Sequence, residues 1–113
     1  MIDATEEYDE WVDTLSEAAQ EDVDAYVVLL EERGPSLGFP FTSSVNGSKH
    51  GHMRELRIQH KGKPIRILYA FDPRRYAVLL LGGDKTGKER WYKENVPKAD
   101  RLCDEHLKQI GGK

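Results

Sequence analysis

Cysteine is nearly missing from this sequence: Cys103 stands alone among 113 residues. An intramolecular disulfide and a four-cysteine zinc site are therefore excluded, which fits a reducing, cytoplasmic setting in which the thiol serves packing. No stretch approaches the roughly 18 apolar residues of a membrane-crossing helix. The first residues, Met1-Ile2-Asp3-Ala4-Thr5-Glu6-Glu7, lack the basic end and apolar stretch of a signal peptide, so neither export nor a membrane partner is expected. Motifs are scarce as well. There is no glycine loop followed by lysine and serine, and no H-E-x-x-H, so no cofactor or metal is expected. His50 and His52 stand in H-x-H spacing, but Glu55 is the one acidic residue close to them, and a pair of surface-loop histidines is the simpler reading. Ser36, Ser43, Ser44 and Ser48 lie in turn-like sequence without a local histidine and carboxylate to form a hydrolase triad.

Charge of one sign is also missing in places. Residues 1–33 hold twelve Asp and Glu and a single basic residue, Arg33, and residues 34–48 hold no charge at all. Residues 49–113 reverse the balance, with sixteen Lys and Arg against eight Asp and Glu. The formal net charge of -3 thus hides a basic part with the footprint of a polyanion binder. The plainer alternative is a salt-bridged globule with ordinary solvated faces.

Periodicity divides the chain in the same way. Tyr8, Trp11, Val12 and Leu15 recur at helical spacing, and Ala18, Ala19, Val23, Tyr26, Val27 and Leu30 continue the stripe. Thr14 and Glu17 match the S/T-x-x-E spacing of a helix start, which predicts a break near residues 14–16 and a helical hairpin. The second helix should end at Gly34-Pro35. Residues 34–53, rich in Gly, Pro and Ser, read as a loop. The period then changes to two: Leu56 and Ile58, then Ile65, Ile67, Tyr69 and Phe71, then the run from Tyr76 to Leu81 predict three strands. Short connections at Lys61-Gly62-Lys63-Pro64 and Asp72-Pro73-Arg74-Arg75 make these an antiparallel meander, with the helical hairpin on one face and Gly82-Gly83 ending the last strand. A final helix is expected from about Pro97 to Ile110, closing at Gly111-Gly112. The fold class is thus α+β in a single domain, residues 1–113.

The sheet carries a basic and aromatic set: Arg54, Arg57, Lys61, Lys63, Arg66, Arg74, Arg75, Lys85, Lys88, Arg90, Trp91, Tyr92 and Lys93. Arg57 and Arg66 each interrupt an apolar alternation, so they should project as near neighbours from the face opposite Leu56 and Ile65. Guanidinium groups there could hold a phosphate bidentately, Lys85 could add a point charge, and Trp91 or Tyr92 could stack on a base. The competing reading is that these arginines keep an exposed face soluble.

The blocks Trp11-Val12-Asp13-Thr14-Leu15, Gly34-Pro35-Ser36-Leu37-Gly38-Phe39-Pro40, Glu55-Leu56-Arg57, Arg66-Ile67-Leu68-Tyr69-Ala70-Phe71 and Leu79-Leu80-Leu81-Gly82-Gly83-Asp84-Lys85-Thr86 follow one another in this order. Together they resemble the phage-derived, Gp49-like or HigB-type branch of the RelE/ParE toxin superfamily, over about Thr5 to Leu107. The resemblance implies a RelE-like fold, a type II toxin-antitoxin pair, and a cognate antitoxin with a helix-turn-helix domain, through which alone operator DNA would be reached. It further implies ribosome-dependent, metal-independent cleavage of mRNA, in which a 2′-hydroxyl attacks the adjacent phosphate. Carried over residue by residue, it assigns Arg66 to the scissile phosphate and Arg57 to a neighbouring phosphate or the transition-state charge. Lys85 is assigned to phosphate binding or proton transfer, and Tyr92 to stacking or acid-base work. Lysine and tyrosine ordinarily titrate near pH ~10, so His50, His52 and His60 are alternative bases, with His52 best placed, just ahead of the first meander strand. Only Met1 to Ala4 precede the first helix where the family has a full strand, and Glu55 stands where ribosome-dependent members often carry a lysine. Two other functions stay open: a ParE-like inhibitor of DNA gyrase, and a non-catalytic module that binds nucleic acid or the antitoxin.

Overall fold

In a computed structural model the described residues are 1–87 and 90–111, and they form an α+β domain, the class expected. Strand β1 (Ile2–Ala4) leads into helices α1 (Glu6–Asp13) and α2 (Glu17–Arg33), then come strands β2 (Thr42–Ser44), β3 (Arg54–His60), β4 (Lys63–Phe71) and β5 (Ala77–Asp84), and finally helix α3 (Trp91–Gly111). The sheet order is β1-β5-β4-β3-β2. Strands β2 to β5 pair antiparallel, whereas β1 lies parallel to β5, so the sheet is mixed.

The helical hairpin forms where the apolar stripe predicts it, but its caps differ. Thr5 caps α1 by accepting from the Tyr8 N–H, and the acidic side chains of Glu6, Glu7 and Asp9 lie where the helix dipole favours them. Ser16, not Thr14, caps α2 by accepting from the Ala19 N–H, while the Thr14 hydroxyl donates back to the Trp11 carbonyl. Helix α2 stops at Gly34, whose φ of 54° suits glycine.

Part of the expected loop over residues 34–53 is ordered into structure. Residues 42–44 pair with β3 as a short edge strand, held also by the Thr42 hydroxyl on the Leu37 carbonyl at 2.9 Å. Three residues are too few for a periodicity to be visible, which is why this strand and β1 bring the sheet from three expected strands to five. Strand β5 also runs through Gly82-Gly83 instead of ending there. Both glycines lie beneath indole rings: a Cβ on Gly82 would sit 2.4 Å from Trp11, and one on Gly83 2.7 Å from Trp91. A β-bulge near Leu68 and Tyr69 turns successive side chains Leu80 and Leu81 toward the same core; beyond it ordinary strand alternation aims the two glycines at opposite helix layers.

The sheet is covered on both faces. Tyr8, Val23, Leu30 and Leu37 pack with Leu56, Ile58, Ile67 and Leu79 on one side; Trp91, Val96, Ala99 and Leu102 of α3 pack with Met53, Leu68, Val78 and Leu80 on the other. Helix α3 begins six residues before the expected Pro97. Burying Trp91 and Val96 offsets the ~3 kcal/mol that a proline costs within a helix. Gly112, expected to close this helix, lies outside the described residues. Among the described residues no helix is long and apolar enough to cross a membrane.

Candidate functional site

Arg57 and Arg66 face each other directly across β3 and β4, and Arg66 in turn faces Gly83 of β5. Like charges opposed in this way repel unless an anion lies between them. Glu55, two residues before Arg57 on the same face, supplies it. Its Oε2 lies 3.3 Å from Arg57 Nη1 and accepts the Ser43 hydroxyl at 2.6 Å; its Oε1 accepts the Tyr92 hydroxyl at 2.5 Å and lies 3.6 Å from Arg66 Nε. Strands β2, β3 and β4 and the first turn of α3 thus converge on one carboxylate.

Burial grades the members of this cluster. The Glu55 and Arg66 side chains are each 6% exposed, Arg57 is 33% exposed. Arg66 donates from Nη1 to its neighbour's carbonyl at Ile65, but its buried Nε has no hydrogen-bond partner. An unpaired buried donor is costly to keep and is a ready point of contact for an incoming acceptor. Burial, and then the hydrogen bond to Glu55, push the Tyr92 phenol up to about 12 against the opposing pull of Arg66. At neutral pH it therefore holds its proton.

Beside this cluster lies an open cleft lined by Pro64, Lys85, Arg90, Trp91, Tyr92 and Glu94. The Lys85 ammonium stands 5.6 Å from the Tyr92 ring centroid, and Trp91 packs edge-on to the same ring at 5.2 Å. A second, smaller cleft at the β3 edge is lined by Tyr26, Pro40, Phe41, Arg57, Gln59 and Arg66. Cations on both sides of Arg66 can take up negative charge, and Tyr92 can give a proton.

Comparison with known proteins then decides the family. The pattern of the family described as phage derived protein Gp49-like (DUF891) matches residues 10–104. This chain belongs to the Gp49-like family. The protein called 'Putative toxin HigB3' of Mycobacterium tuberculosis is 47% identical over 98 residues, covering 86% of this chain and 84% of that one. 'Putative toxin HigB2' of the same organism is 43% identical over 102 residues, covering 88% of this chain and 51% of the relative. The Gp49-like chain thus spans about half the length of HigB2. No solved structure matches it. The resemblance of the residue blocks to the HigB-type branch is therefore shown.

Within the Gp49-like fold, four of the five residues singled out from sequence are gathered: Arg57, Arg66 and Tyr92 share Glu55, and Lys85 lies over Tyr92. His52 lies elsewhere. Its exposed ring sits 6.3 Å from that of His50, and His50 bonds Asp104, which is twelve residues beyond Tyr92, or ~18 Å along α3. His60 bonds Asp22 of α2 at 2.5 Å on the other face of the sheet. The basic set is also divided. Arg74 reaches Asp72 and Asp3 at the β4–β5 turn, the opposite end of the meander from Lys85, and Lys88 lies outside the described residues. Glu55 and Ser43 are the members that sequence reasoning did not select. The signal for Glu55 was its place two residues before Arg57, on one strand face; Ser43 had none.

Proposed function

We propose that this Gp49-like protein is the toxin of a toxin-antitoxin pair and inhibits translation by cutting mRNA on the ribosome. The observation that carries the reading is the Arg57–Arg66 pair, set by Glu55 beside a phenol that keeps its proton. In the proposed step the 2′-oxygen attacks phosphorus, the bond to the 5′-oxygen breaks, and a 2′,3′-cyclic phosphate forms. Arg66 and Arg57 take up the extra negative charge of the phosphorane, as preorganised donors in a water-poor site do. Tyr92, which keeps its proton at neutral pH, gives it to the leaving 5′-oxygen and cannot serve as the base. Lys85 and Arg90 hold flanking phosphates in the adjoining cleft. The 2′-hydroxyl proton passes to water, because His52, beside His50 and Asp104, is out of reach of the phosphodiester at Arg66 and Tyr92.

The names of the HigB relatives support the toxin half of this reading. The proposed partners are the ribosome and its mRNA, and a cognate antitoxin with a helix-turn-helix domain that connects the pair to operator DNA.

Primer extension on a reporter mRNA, with and without translating ribosomes, tests the reading. The expected result is a set of new 5′ ends that require ribosomes, disappear with Arg66→Ala, and form about a hundredfold more slowly with Tyr92→Phe. Circular dichroism on each variant separates lost chemistry from lost fold. Intact mRNA beside active ribosomes would sink the nuclease and turn the search to a ParE-like block of DNA gyrase or to binding alone.

A further inference from the structure

The segment between α2 and β2 presents aromatic rings at the surface beside the arginine pair. Phe39 is 76% exposed and Phe41 37% exposed, although burial of such side chains is favourable. The segment is nonetheless tied down. The Phe41 carbonyl accepts the Arg57 N–H at 2.8 Å, the Phe41 N–H donates to Gly38, and the Thr42 hydroxyl is shared between the Leu37 carbonyl and an Arg54 donor. The Arg57 guanidinium lies 5.4 Å from the Phe39 ring centroid, and Tyr26 packs at 6.4 Å from Phe41. Phe39 stands beside the Arg57 cation, and Phe41, Arg57 and Gln59 line one cleft, so the surface combines stacking rings, a phosphate contact and a hydrogen-bonding amide.

We propose that Phe39 and Phe41, with Arg57 and Gln59, form a nucleobase-stacking subsite for single-stranded RNA. It lies on the β3 side of Arg66, whereas the Tyr92 and Lys85 cleft lies on the β5 side, so it holds a nucleotide flanking the one at Arg66. Aromatic stacking tolerates any base, and Gln59 is the group able to discriminate between them. The subsite rests on the nuclease reading for its position relative to the cut, but its affinity for RNA can be measured without cleavage.

The test uses Phe39→Trp and Phe39→Ala in the full chain with a short single-stranded RNA as the probe. Addition of RNA should quench the extra indole emission of Phe39→Trp relative to the wild-type chain, and Phe39→Ala should bind the same RNA about tenfold more weakly. In primer extension Phe39→Ala should cut less and redistribute its sites, and Phe39→Trp should restore the yield. Quenching with no cleavage by the wild-type chain would uphold the subsite and remove the nuclease. Wild-type cleavage combined with unchanged RNA affinity and unchanged sites in Phe39→Ala would overturn the subsite, as would a loss confined to antitoxin binding.

Discussion

Glu55 decides what its neighbours can do. Two arginines, a phenol and a serine hydroxyl converge on a carboxylate that is almost wholly buried. Removing one partner from such a set leaves the others uncompensated, which typically costs ~3 kcal/mol or more. Glu55→Gln should therefore lower stability by about 3 kcal/mol in urea unfolding. It should also bring the Tyr92 phenol down from about 12, although burial, the largest cause of its shift, remains. Carbon-13 NMR of labelled tyrosine rings reads that titration; an unmoved Tyr92 would show that Glu55 does not hold its proton. Arg57 and Arg66 were legible as a pair because each breaks an apolar alternation. The anion between them was less so: its place two residues before Arg57 sets it on the same strand face, but nothing in the spacing shows that it is buried there.

At the scale of elements, the decisive contacts lie where an indole crosses a strand. Trp11 of α1 rests on Gly82, and Trp91 of α3 rests on Gly83, so successive positions of β5 receive the two helix layers. Gly82→Ala would place a methyl 2.4 Å from the Trp11 ring. Overpacking of this kind costs about 1–3 kcal/mol, and thermal or urea unfolding should show it with little change in the far-ultraviolet spectrum. If Gly82→Ala unfolds like the wild-type chain, α1 is not seated as described. In the sequence the glycine pair marks the end of the strand, because glycine commonly interrupts β structure. Pro97 marks the start of α3 for a similar local reason. Both errors come from letting local propensity stand where an aromatic ring on another element outweighs it.

The whole molecule separates its charges through the sheet. The acidic helices α1 and α2 cover one face, while Arg57, Lys85 and Arg90 line the clefts around the buried Arg66, so a chain of net charge -3 still presents basic clefts. At the far end of the meander Asp72 ties β4, β5, α3 and β1 together. Its Oδ1 accepts the Arg74 and Tyr76 N–H groups, and its Oδ2 meets Arg74 and His106, while Arg74 also reaches Asp3. Burial alone would raise the Asp72 carboxyl; the Arg74 and His106 hydrogen bonds, with those of the two backbone amides, outweigh it and hold it at about 2. A carboxyl lowered from 3.8 stabilises the fold fully above pH ~4, and the contribution is lost as pH falls through about 2. After screening by nearby water it is worth on the order of 1 kcal/mol. Asp72→Asn keeps an acceptor for the backbone amides and should flatten the acid limb of stability between those pH values. An acid limb as steep as that of the wild-type chain would assign the transition to other groups.

The amino-acid order by itself determined the α+β class, the helical hairpin, the meander strands β3 to β5, the family and the pairing of Arg57 with Arg66. These follow from periodicities and from residue blocks, which act between near neighbours along the chain. Tertiary structure alone decided that β1 and β2 close the edges, that β5 passes through its glycines, that Glu55 binds Tyr92 from 37 residues away, and that His52 stands apart from the arginines. Each of these depends on which surfaces meet once the two apolar faces of the sheet are buried, and burial between distant segments leaves no mark on local spacing.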